Sequence, residues 1–388
     1  MSPVRTTISC RSALVLLALV LVRPHAAAFG DAAPDAPRVL PIVGDWSVEI
    51  GGPPAPRVPP LIDEDGVYVA LRAGQIVARS LVDGTERWRK ELAVERPLAA
   101  DAGILFVAAA DAIHALRAKD GAPLWEAPLP GISAPLVARS GWLIARADTH
   151  VLAFRAKDGT LVWQREVGAS AEAPEIDGDR LYVPLDDGRV IALEITAGTP
   201  VWERPIGGAA GAVVAFGDRV YLGVGDRKFY CLNAATGEIL WVQRIGAGII
   251  GAAAADASKV YFVALDNVLR ALDRGSGNLR WQHAFRRRVT RGPALAGAYV
   301  FLPSGGSPEI WMWTEKDGRS AGTLALPAEP AIPPAFLQRA DGYDVVAVTG
   351  NLGGQWQLTL LKTADEPPLS AFTSLPGLVL EPESLSTK

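Results

Sequence analysis

Short stretches of alternating apolar and polar residues make up most of this chain, and turn residues separate them at regular intervals. Between Pro135 and Trp163 the pattern predicts four short strands, at residues 135–137, 142–145, 151–155 and around Trp163. A period of two residues is typical of strands with one buried face. The intervening turns contain glycine, which accepts a positive φ without a Cβ clash. Since no stretch shows sustained helical periodicity, the sequence predicts an all-β protein.

A turn-and-tryptophan unit recurs along the chain with a spacing close to 40 residues. In each copy a tryptophan follows a turn glycine by four positions, and successive tryptophans are 37, 38, 39, 39 and 40 residues apart. The six pairs are Gly84–Trp88, Gly121–Trp125, Gly159–Trp163, Gly198–Trp202, Gly237–Trp241 and Gly277–Trp281. A seventh copy keeps the turn at Asp317-Gly318 but has Gly322 in the tryptophan position. A period of this length with four strands is typical of a propeller blade.

Eight units can be counted, so we predict an eight-bladed β-propeller. The expected first strands begin near Pro60, Pro97, Pro135, Pro174, Gly211, Gly251, Pro293 and Pro334. The last unit supplies second and third strands at 345–348 and 357–362 but no fourth strand. Residues 45–49, by contrast, have the pattern of a fourth strand but are not preceded by the other three strands of a blade. We therefore expect this N-terminal strand to complete the last blade and to close the ring.

Seven tryptophans on fourth strands are expected to dock each blade against the next. A large aromatic ring on an outer strand can bury about 150–250 Å² across the gap between two blades. The seven are Trp46, Trp88, Trp125, Trp163, Trp202, Trp241 and Trp281. Because these rings should lie away from the central channel, we assign them a structural role and not a ligand-binding one.

The first 28 residues have the features of a Sec-type secretory signal peptide. Arg5 and Arg11 form a basic region before an apolar segment that runs over residues 13–22, and the small residues 26–28 suit signal peptidase. The apolar run is too short to span a bilayer as a helix. We expect cleavage and export to the periplasm or the medium, with an uncleaved membrane anchor as the alternative.

We expect a mature chain without a lipid anchor, because a lipidated cysteine would follow the apolar run, whereas Cys10 precedes it. The expected segments are the signal peptide (1–28), an N-terminal arm (29–44), the propeller (45–363) and a polar, flexible tail (364–388). The full sequence has a net charge of −4, and residues 1–28 contain basic but no acidic residues, so cleavage makes the chain more negative and nothing suggests nucleic acid as a partner. Cys231 alone cannot form an intramolecular disulfide, so the core must hold the fold.

The repeat resembles the tryptophan-docking motif of the pyrroloquinoline-quinone (PQQ)-like repeat family. Residues 115–125 follow the pattern AxxxxxGxxxW, and residues 231–241 also match, especially in the core Asn-x-x-Thr-Gly. The resemblance extends from about Trp46 to Lys362 and implies a propeller. The family includes quinone-dependent dehydrogenases and also non-catalytic members such as BamB, the periplasmic scaffold of the outer-membrane protein assembly machine.

The resemblance is nearest to the BamB-like, non-catalytic members. The dehydrogenases are longer, many carry adjacent cysteines over the quinone, and they hold Ca²⁺ with carboxylate and amide oxygens. Here only Cys231 survives maturation, and no clustered set of oxygen ligands is visible. We therefore expect no catalytic residue, no cofactor and no metal. A PQQ-dependent oxidoreductase or a propeller that binds a small ligand is the alternative. BamB is typically a lipoprotein, whereas this sequence shows no lipidation signal.

A basic connection after the sixth unit is the candidate partner-binding site. Other connections consist of small residues, as at 207–211 and 246–248, but this one carries Arg286, Arg287, Arg288 and Arg291. Four guanidinium groups there could dock an acidic protein partner through charge-assisted hydrogen bonds. They could equally offset acidic loops beside them. We expect a protein partner on this loop face and a ring that is monomeric by itself.

Three other residue groups have a structural explanation that we prefer. Aspartates recur between second and third strands, at Asp111, Asp148, Asp186, Asp187, Asp226 and Asp266. They could bind a cation or a basic partner, but aspartate also favours turns for its local hydrogen bonds. Trp311 and Trp313 could form an aromatic patch with Trp356, although core packing is favoured. The histidines are too scattered along the chain for a zinc site.

Overall fold

A computed structural model describes residues 42–51, 56, 58–289, 291–303, 307–338, 343–350 and 354–363. These residues form strands, turns and bends without an α-helix, and none of them belongs to a helix that could cross a membrane. The strands make eight four-stranded antiparallel sheets. The predicted all-β, eight-bladed propeller is thereby confirmed. The predicted signal peptide, residues 29–41 of the arm and the tail lie outside the described residues.

The strands follow one another in chain order, four to a blade. The N-terminal strand is β1 (Ile42–Gly51). Blade 1 has β2 (Leu61–Ile62), β3 (Val67–Leu71), β4 (Gln75–Arg79) and β5 (Glu86–Glu91). Blade 2 has β6 (Ala99–Asp101), β7 (Ile104–Ala109), β8 (Ala112–Arg117) and β9 (Pro123–Pro128). Blade 3 has β10 (Val137–Arg139), β11 (Trp142–Ala147), β12 (His150–Arg155) and β13 (Leu161–Glu166). Blade 4 has β14 (Glu175–Asp177), β15 (Arg180–Pro184), β16 (Arg189–Glu194) and β17 (Pro200–Pro205).

The second half of the ring continues in the same order. Blade 5 has β18 (Ala210–Phe216), β19 (Arg219–Val224), β20 (Lys228–Asn233) and β21 (Ile239–Arg244). Blade 6 has β22 (Ile249–Ala255), β23 (Lys259–Ala264), β24 (Val268–Asp273) and β25 (Leu279–Ala284). Blade 7 has β26 (Ala294–Ala296), β27 (Tyr299–Pro303), β28 (Glu309–Thr314) and β29 (Ser320–Ala325). Blade 8 has β30 (Ala335–Gln338), β31 (Tyr343–Gly350), β32 (Trp356–Thr363) and β1.

The position of a strand in its blade decides its burial. First strands of neighbouring blades contact one another around the centre of the ring, whereas fourth strands form the outer edges of the sheets. Second and third strands lie between them and are apolar on both faces, as in β7, where five consecutive residues are buried. The fourth strands alternate between exposed and partly buried residues. Continuous apolar runs in the middle of each unit therefore mark strands that neighbouring blades cover on both sides.

The ring closes through the N-terminal strand, as the sequence predicts. β1 pairs antiparallel with β32, from Ile42 opposite Thr363 to Gly51 opposite Trp356. Ile50 packs in one core cluster with Val67 of blade 1 and Val346 of blade 8. Backbone hydrogen bonds thus hold the strand that precedes blade 1 in the sheet of blade 8, and blades 1 and 8 share an apolar core.

We call the interface between two neighbouring blades a seam. In seven successive seams a tryptophan indole N–H of one blade donates to a backbone carbonyl in the turn between the third and fourth strands of the next blade (the third-to-fourth turn). The donor–acceptor pairs, with N···O distances of 2.7–3.4 Å, are Trp46–Leu81, Trp88–Ala118, Trp125–Ala156, Trp163–Ile195, Trp202–Ala234, Trp241–Arg274 and Trp281–Glu315. The ring also lies against the glycine of that turn. At Gly237, whose φ is +68°, an added Cβ would lie 2.6 Å from the ring of Trp202. Glycine is required there by both conformation and space.

The seam between blades 7 and 8 lacks this contact for a topological reason. Gly322 stands where the tryptophan of blade 7 would be. Blade 8 has no third-to-fourth turn to receive a ring, because its third strand β32 and its fourth strand β1 come from opposite ends of the propeller sequence. Leu324 of blade 7 packs instead in a cluster with Val345 and Leu361 of blade 8.

Candidate functional site

One face of the propeller carries both the second-to-third loops and the connections between blades; we call it the loop face. The residue after a fourth strand donates its N–H to the second-to-third loop of the same blade. These backbone bonds join Leu129 to Asp111, Val167 to Thr149, Ile206 to Gly188, Ile245 to Arg227 and Phe285 to Asn267, at 2.7–3.0 Å. Each connection therefore starts from a fixed point on this face.

The connection after blade 6 is held by hydrogen bonds to Asn267 and by one buried side chain. We call residues 286–291 the arginine loop. Asn267, at φ +57°, accepts the N–H of Phe285 on its carbonyl at 2.9 Å and the N–H of Val289 on Oδ1 at 3.1 Å. The side chain of Val289 is 1 % exposed and packs in the core between blades 6 and 7. The loop is thus fastened in its middle as well as at its start.

The far end of the arginine loop is fixed by a close backbone approach. A Cβ added to Gly292 would lie 2.0 Å from the carbonyl oxygen of Ala252 in β22. No side chain fits there, so the chain can return to blade 7 only through a glycine. Both ends of the loop are therefore determined by the structure around them.

An aromatic stack supports the base of the arginine loop. The ring of Phe285 stacks on Trp311 with centroids 4.6 Å apart and an interplanar angle of 6°. Two residues earlier in the chain, His283 stacks on Trp313 with ring centroids 5.3 Å apart. Trp356 belongs to a separate core cluster between blades 8 and 1. Trp311 and Trp313 therefore pack within the seam between blades 6 and 7, and Trp356 does not join them.

The arginine side chains themselves face solvent. Arg286, Arg287, Arg288 and Arg291 are all exposed. Leu265, in the loop between β23 and β24 of the same blade, is 59 % exposed. This loop also contains Asn267, which anchors the arginine loop. The result is a cationic surface with an exposed leucine on the same blade, and hydrogen bonds to Asn267 hold the backbone at Phe285 and Val289.

Three of the six aspartates in the second-to-third loops make local ion pairs. Asp187 pairs with Arg189 at 2.6 Å, Asp266 pairs with Arg270 at 2.5 Å, and Asp226 pairs with Lys228. Asp226 and Asp266 also accept the backbone N–H two residues ahead. This geometry is the turn chemistry of aspartate. Across the described ranges, no group of three or more His, Cys, Asp or Glu side chains is placed to hold a metal ion.

A shallow cavity of about 320 Å³ opens on the loop face between blades 4 and 6. Glycines and alanines line most of it, and Glu172 and Asp186 stand at its blade 4 wall. Burial, followed by repulsion from Asp186, raises the pKa of Glu172. The opposite wall includes Gly251, which approaches Gly292 at the end of the arginine loop. An acidic wall on blade 4 thus lies across this cavity from the residues that meet the end of the arginine loop.

Two features of this face are not apparent from the sequence. Asn267 and Leu265 lie beside the arginine loop only in the folded protein, because that loop is more than fifteen residues later in the chain. Arg146 in β11 is fully buried, and its Nη2 donates to the carbonyl of Gly168 at 2.6 Å. Burial lowers the pKa of this guanidinium. The only sequence signal for Arg146 is a charged residue inside an otherwise apolar second strand.

The sequence matches the family model described as outer membrane protein assembly factor BamB, over residues 72–213 and 207–306. These two matches cover more than half of the chain. The chain belongs to the BamB family. No curated protein matches the sequence significantly.

Solved structures share the propeller at low sequence identity. BamB from Moraxella catarrhalis is 16% identical with a TM-score of 0.65, over 84% of this chain and 99% of that protein. Quinohemoprotein alcohol dehydrogenase from Comamonas testosteroni is 12% identical with a TM-score of 0.65, over 85% of this chain and 77% of that one. A europium-containing methanol dehydrogenase is 12% identical with a TM-score of 0.61, over 84% and 94%. At these identities the likeness concerns the fold, which scaffolds and enzymes share.

Proposed function

We propose that this BamB-family propeller is an exported, non-catalytic scaffold that binds an acidic protein partner through the arginine loop on its loop face. The observation that carries the proposal is a connection anchored at Phe285 and Val289, which presents four exposed arginines beside the blade that also exposes Leu265. A preorganised loop loses little conformational entropy on binding. Arginine is enriched among the residues that dominate binding energy. By analogy with BamB, the partner belongs to outer-membrane protein assembly in the periplasm.

The test replaces Arg286, Arg287, Arg288 and Arg291 with serine and captures partners from the native envelope with tagged protein. Since exposed charge pairs contribute only ~0–1 kcal/mol to stability, the melting temperature should stay nearly unchanged. Capture should fall at least about tenfold, and binding by the unaltered protein should weaken as salt rises.

A matched control removes four exposed arginines elsewhere in the ring. These are Arg117, Arg155, Arg280 and Arg319, which lie beside the third-to-fourth turns of the opposite face. Their replacement with serine should leave capture unchanged. A large stability loss in the arginine-loop variant with intact capture would contradict the proposal and assign these arginines to folding.

A PQQ-dependent oxidoreductase is the competing function, because dehydrogenases share the propeller. The described residues do not provide a cluster of carboxylates suited to a calcium-bound quinone, so we assign no catalytic step. Addition of PQQ and Ca²⁺ to the purified protein should give no bound chromophore and no dye-linked oxidation of alcohols. Stoichiometric binding with turnover would replace the scaffold by an enzyme.

A further inference from the structure

Arg146 is a buried cation for which the surrounding chain supplies few hydrogen-bond acceptors. Its side chain is fully buried in β11, and Nη2 donates to the carbonyl of Gly168 at 2.6 Å. Nε and Nη1 are also buried, yet neither donates to any part of the chain that the structure describes. A guanidinium cannot be deprotonated in a protein, and a buried charged donor without an acceptor is strongly destabilising. Arg146 therefore calls for a further acceptor.

The propeller fold does not require a charge at this position. In blade 3 the strand pairing runs from Trp163 through Ala153 to Ile144, and Arg146 lies two residues further along β11. The same count in the other blades, with Gly322 in the tryptophan position of blade 7, gives Ala70, Ala108, Pro184, Gly223, Val263, Pro303 and Val348. None of these residues has a polar side chain. The arginine of blade 3 therefore serves a purpose other than the packing common to all blades.

The register places a second polar group beside the guanidinium. Ser133 donates its N–H to the carbonyl of Arg146 at 2.9 Å, next to the antiparallel bridge between Ile132 and Ala147. Ser133 therefore stands opposite Arg146, and opposite residues of an antiparallel pair share one face of the sheet. The Oγ of Ser133 is buried and has no hydrogen-bond partner among the described residues. A guanidinium and a hydroxyl are thus neighbours on one face of blade 3.

This face of blade 3 points into the seam with blade 4, where the charge of Arg146 is not neutralised by contact. Ile144, two residues earlier on the same face, packs in one core cluster with Leu181 of blade 4. The carboxylate of Asp186 acts on the guanidinium through space and raises its pKa by less than burial lowers it. The connection over residues 168–171 reads Gly-Ala-Ser-Ala and carries no charge. Within the described part of the seam, the guanidinium is therefore a cation without a contacting counter-ion.

We propose that Arg146 and Ser133 bind a small monovalent anion of the size of chloride in the seam between blades 3 and 4. An anion can accept hydrogen bonds from the guanidinium and from the hydroxyl, and it also neutralises the charge, whereas a water molecule satisfies donors only. The full burial of Arg146 restricts the site to a small anion. This site goes beyond the proposed function, because it lies on other blades than the arginine loop and needs no protein partner.

The test compares melting temperatures in sodium chloride and in sodium gluconate, whose anion is too large for a buried site, at equal ionic strength and hence equal screening. Chloride should raise the melting temperature of the unaltered protein by at least about 2 °C relative to gluconate, because a ligand that binds only the folded state stabilises it. Arg146→Met should abolish this difference and still fold, since Val263 and Val348 occupy the position in other blades. Ser133→Ala should reduce the difference.

The matched control is Arg155→Met, which removes an exposed arginine from β12 of the same blade and should keep the full chloride response. Crystals grown with sodium bromide should show an anomalous peak beside the guanidinium of Arg146. Equal melting temperatures in the two salts would overturn the proposal, and a bromide peak in that case would be an adventitious ion only. A chloride response that Arg146→Met retains would also overturn it. If that variant does not fold, an undiminished response in Ser133→Ala does so.

Discussion

The indole of Trp202 lies against Gly237, although both residues belong to copies of the same short motif. The motif places Trp202 four residues after Gly198, but the contact is with the glycine of the following unit. Trp202 also donates to the carbonyl of Ala234 at 2.9 Å in that turn. The motif therefore encodes the seam between two blades, and each copy both supplies a ring and receives one.

The first prediction concerns the space between these two residues. Gly237→Ala would put a Cβ 2.6 Å from the ring of Trp202 at a positive φ. We expect a loss of about 2–4 kcal/mol in the free energy of unfolding, from overpacking and backbone strain. Gly178→Ala is the control, because Gly178 has φ +58° but no atom within 4 Å of the added Cβ. Urea unfolding should show a clearly smaller loss for the control, and equal losses would mean that ring docking contributes nothing.

The second prediction concerns ring closure. Deletion of β1, residues 42–51, removes the strand that pairs with β32 and the ring of Trp46 that docks on blade 1. We expect a loss of more than about 4 kcal/mol, because buried Ile50 and the Trp46 contact disappear with the strand pairing. A synthetic peptide of residues 42–51 should restore part of the melting temperature. A deletion that leaves calorimetric unfolding unchanged would contradict the closed ring.

The third prediction concerns a carboxyl pair between blades 6 and 7. The hydrogen bond with Asp256, then burial, raises the pKa of Glu315. Burial opposes ionisation of Asp256, but hydrogen bonds from Glu315 and Tyr261 outweigh it and lower the pKa of Asp256 to about 2. Protonated Glu315 therefore stabilises the fold below its ordinary pKa, and this contribution is lost as pH rises through the raised value.

Glu315→Gln keeps a donor for Asp256 that does not titrate. We expect the variant to match the unaltered protein near pH 4 and to melt at a higher temperature near pH 8. Thermal melts across this range, with exposed Glu238→Gln as the control, measure the difference. A variant that is less stable than the unaltered protein at pH 8 would show that the pair does not share a proton.

The sequence predicts the fold well because the determinants of a propeller are local and repeated. The spacing of glycine and tryptophan defines the blades. The fourth strand around Trp46, which has no preceding three strands of its own, indicates that the N-terminus closes the ring. The missing tryptophan at Gly322 is visible as a departure, but its reason is not. Only the topology shows that blade 8 has no turn to receive a ring.

The candidate site is less predictable because it depends on contacts between distant loops. The four arginines are conspicuous in the sequence, yet the anchors that fix them are Asn267, Val289 and Gly292. Asn267 resembles any other turn residue until its side chain is seen to accept the N–H of Val289.

The most direct test of the scaffold account is a photo-crosslinking amino acid placed at Leu265, with the same amino acid at Val82 as the control. Leu265 is 59 % exposed on the loop face, and Val82 is 80 % exposed in a third-to-fourth turn on the opposite face. In the native envelope, irradiation should give a discrete cross-linked protein from position 265 and none from position 82. The cross-link should disappear when the four arginines are replaced with serine. Cross-linking from position 82 and not from position 265 would contradict the account.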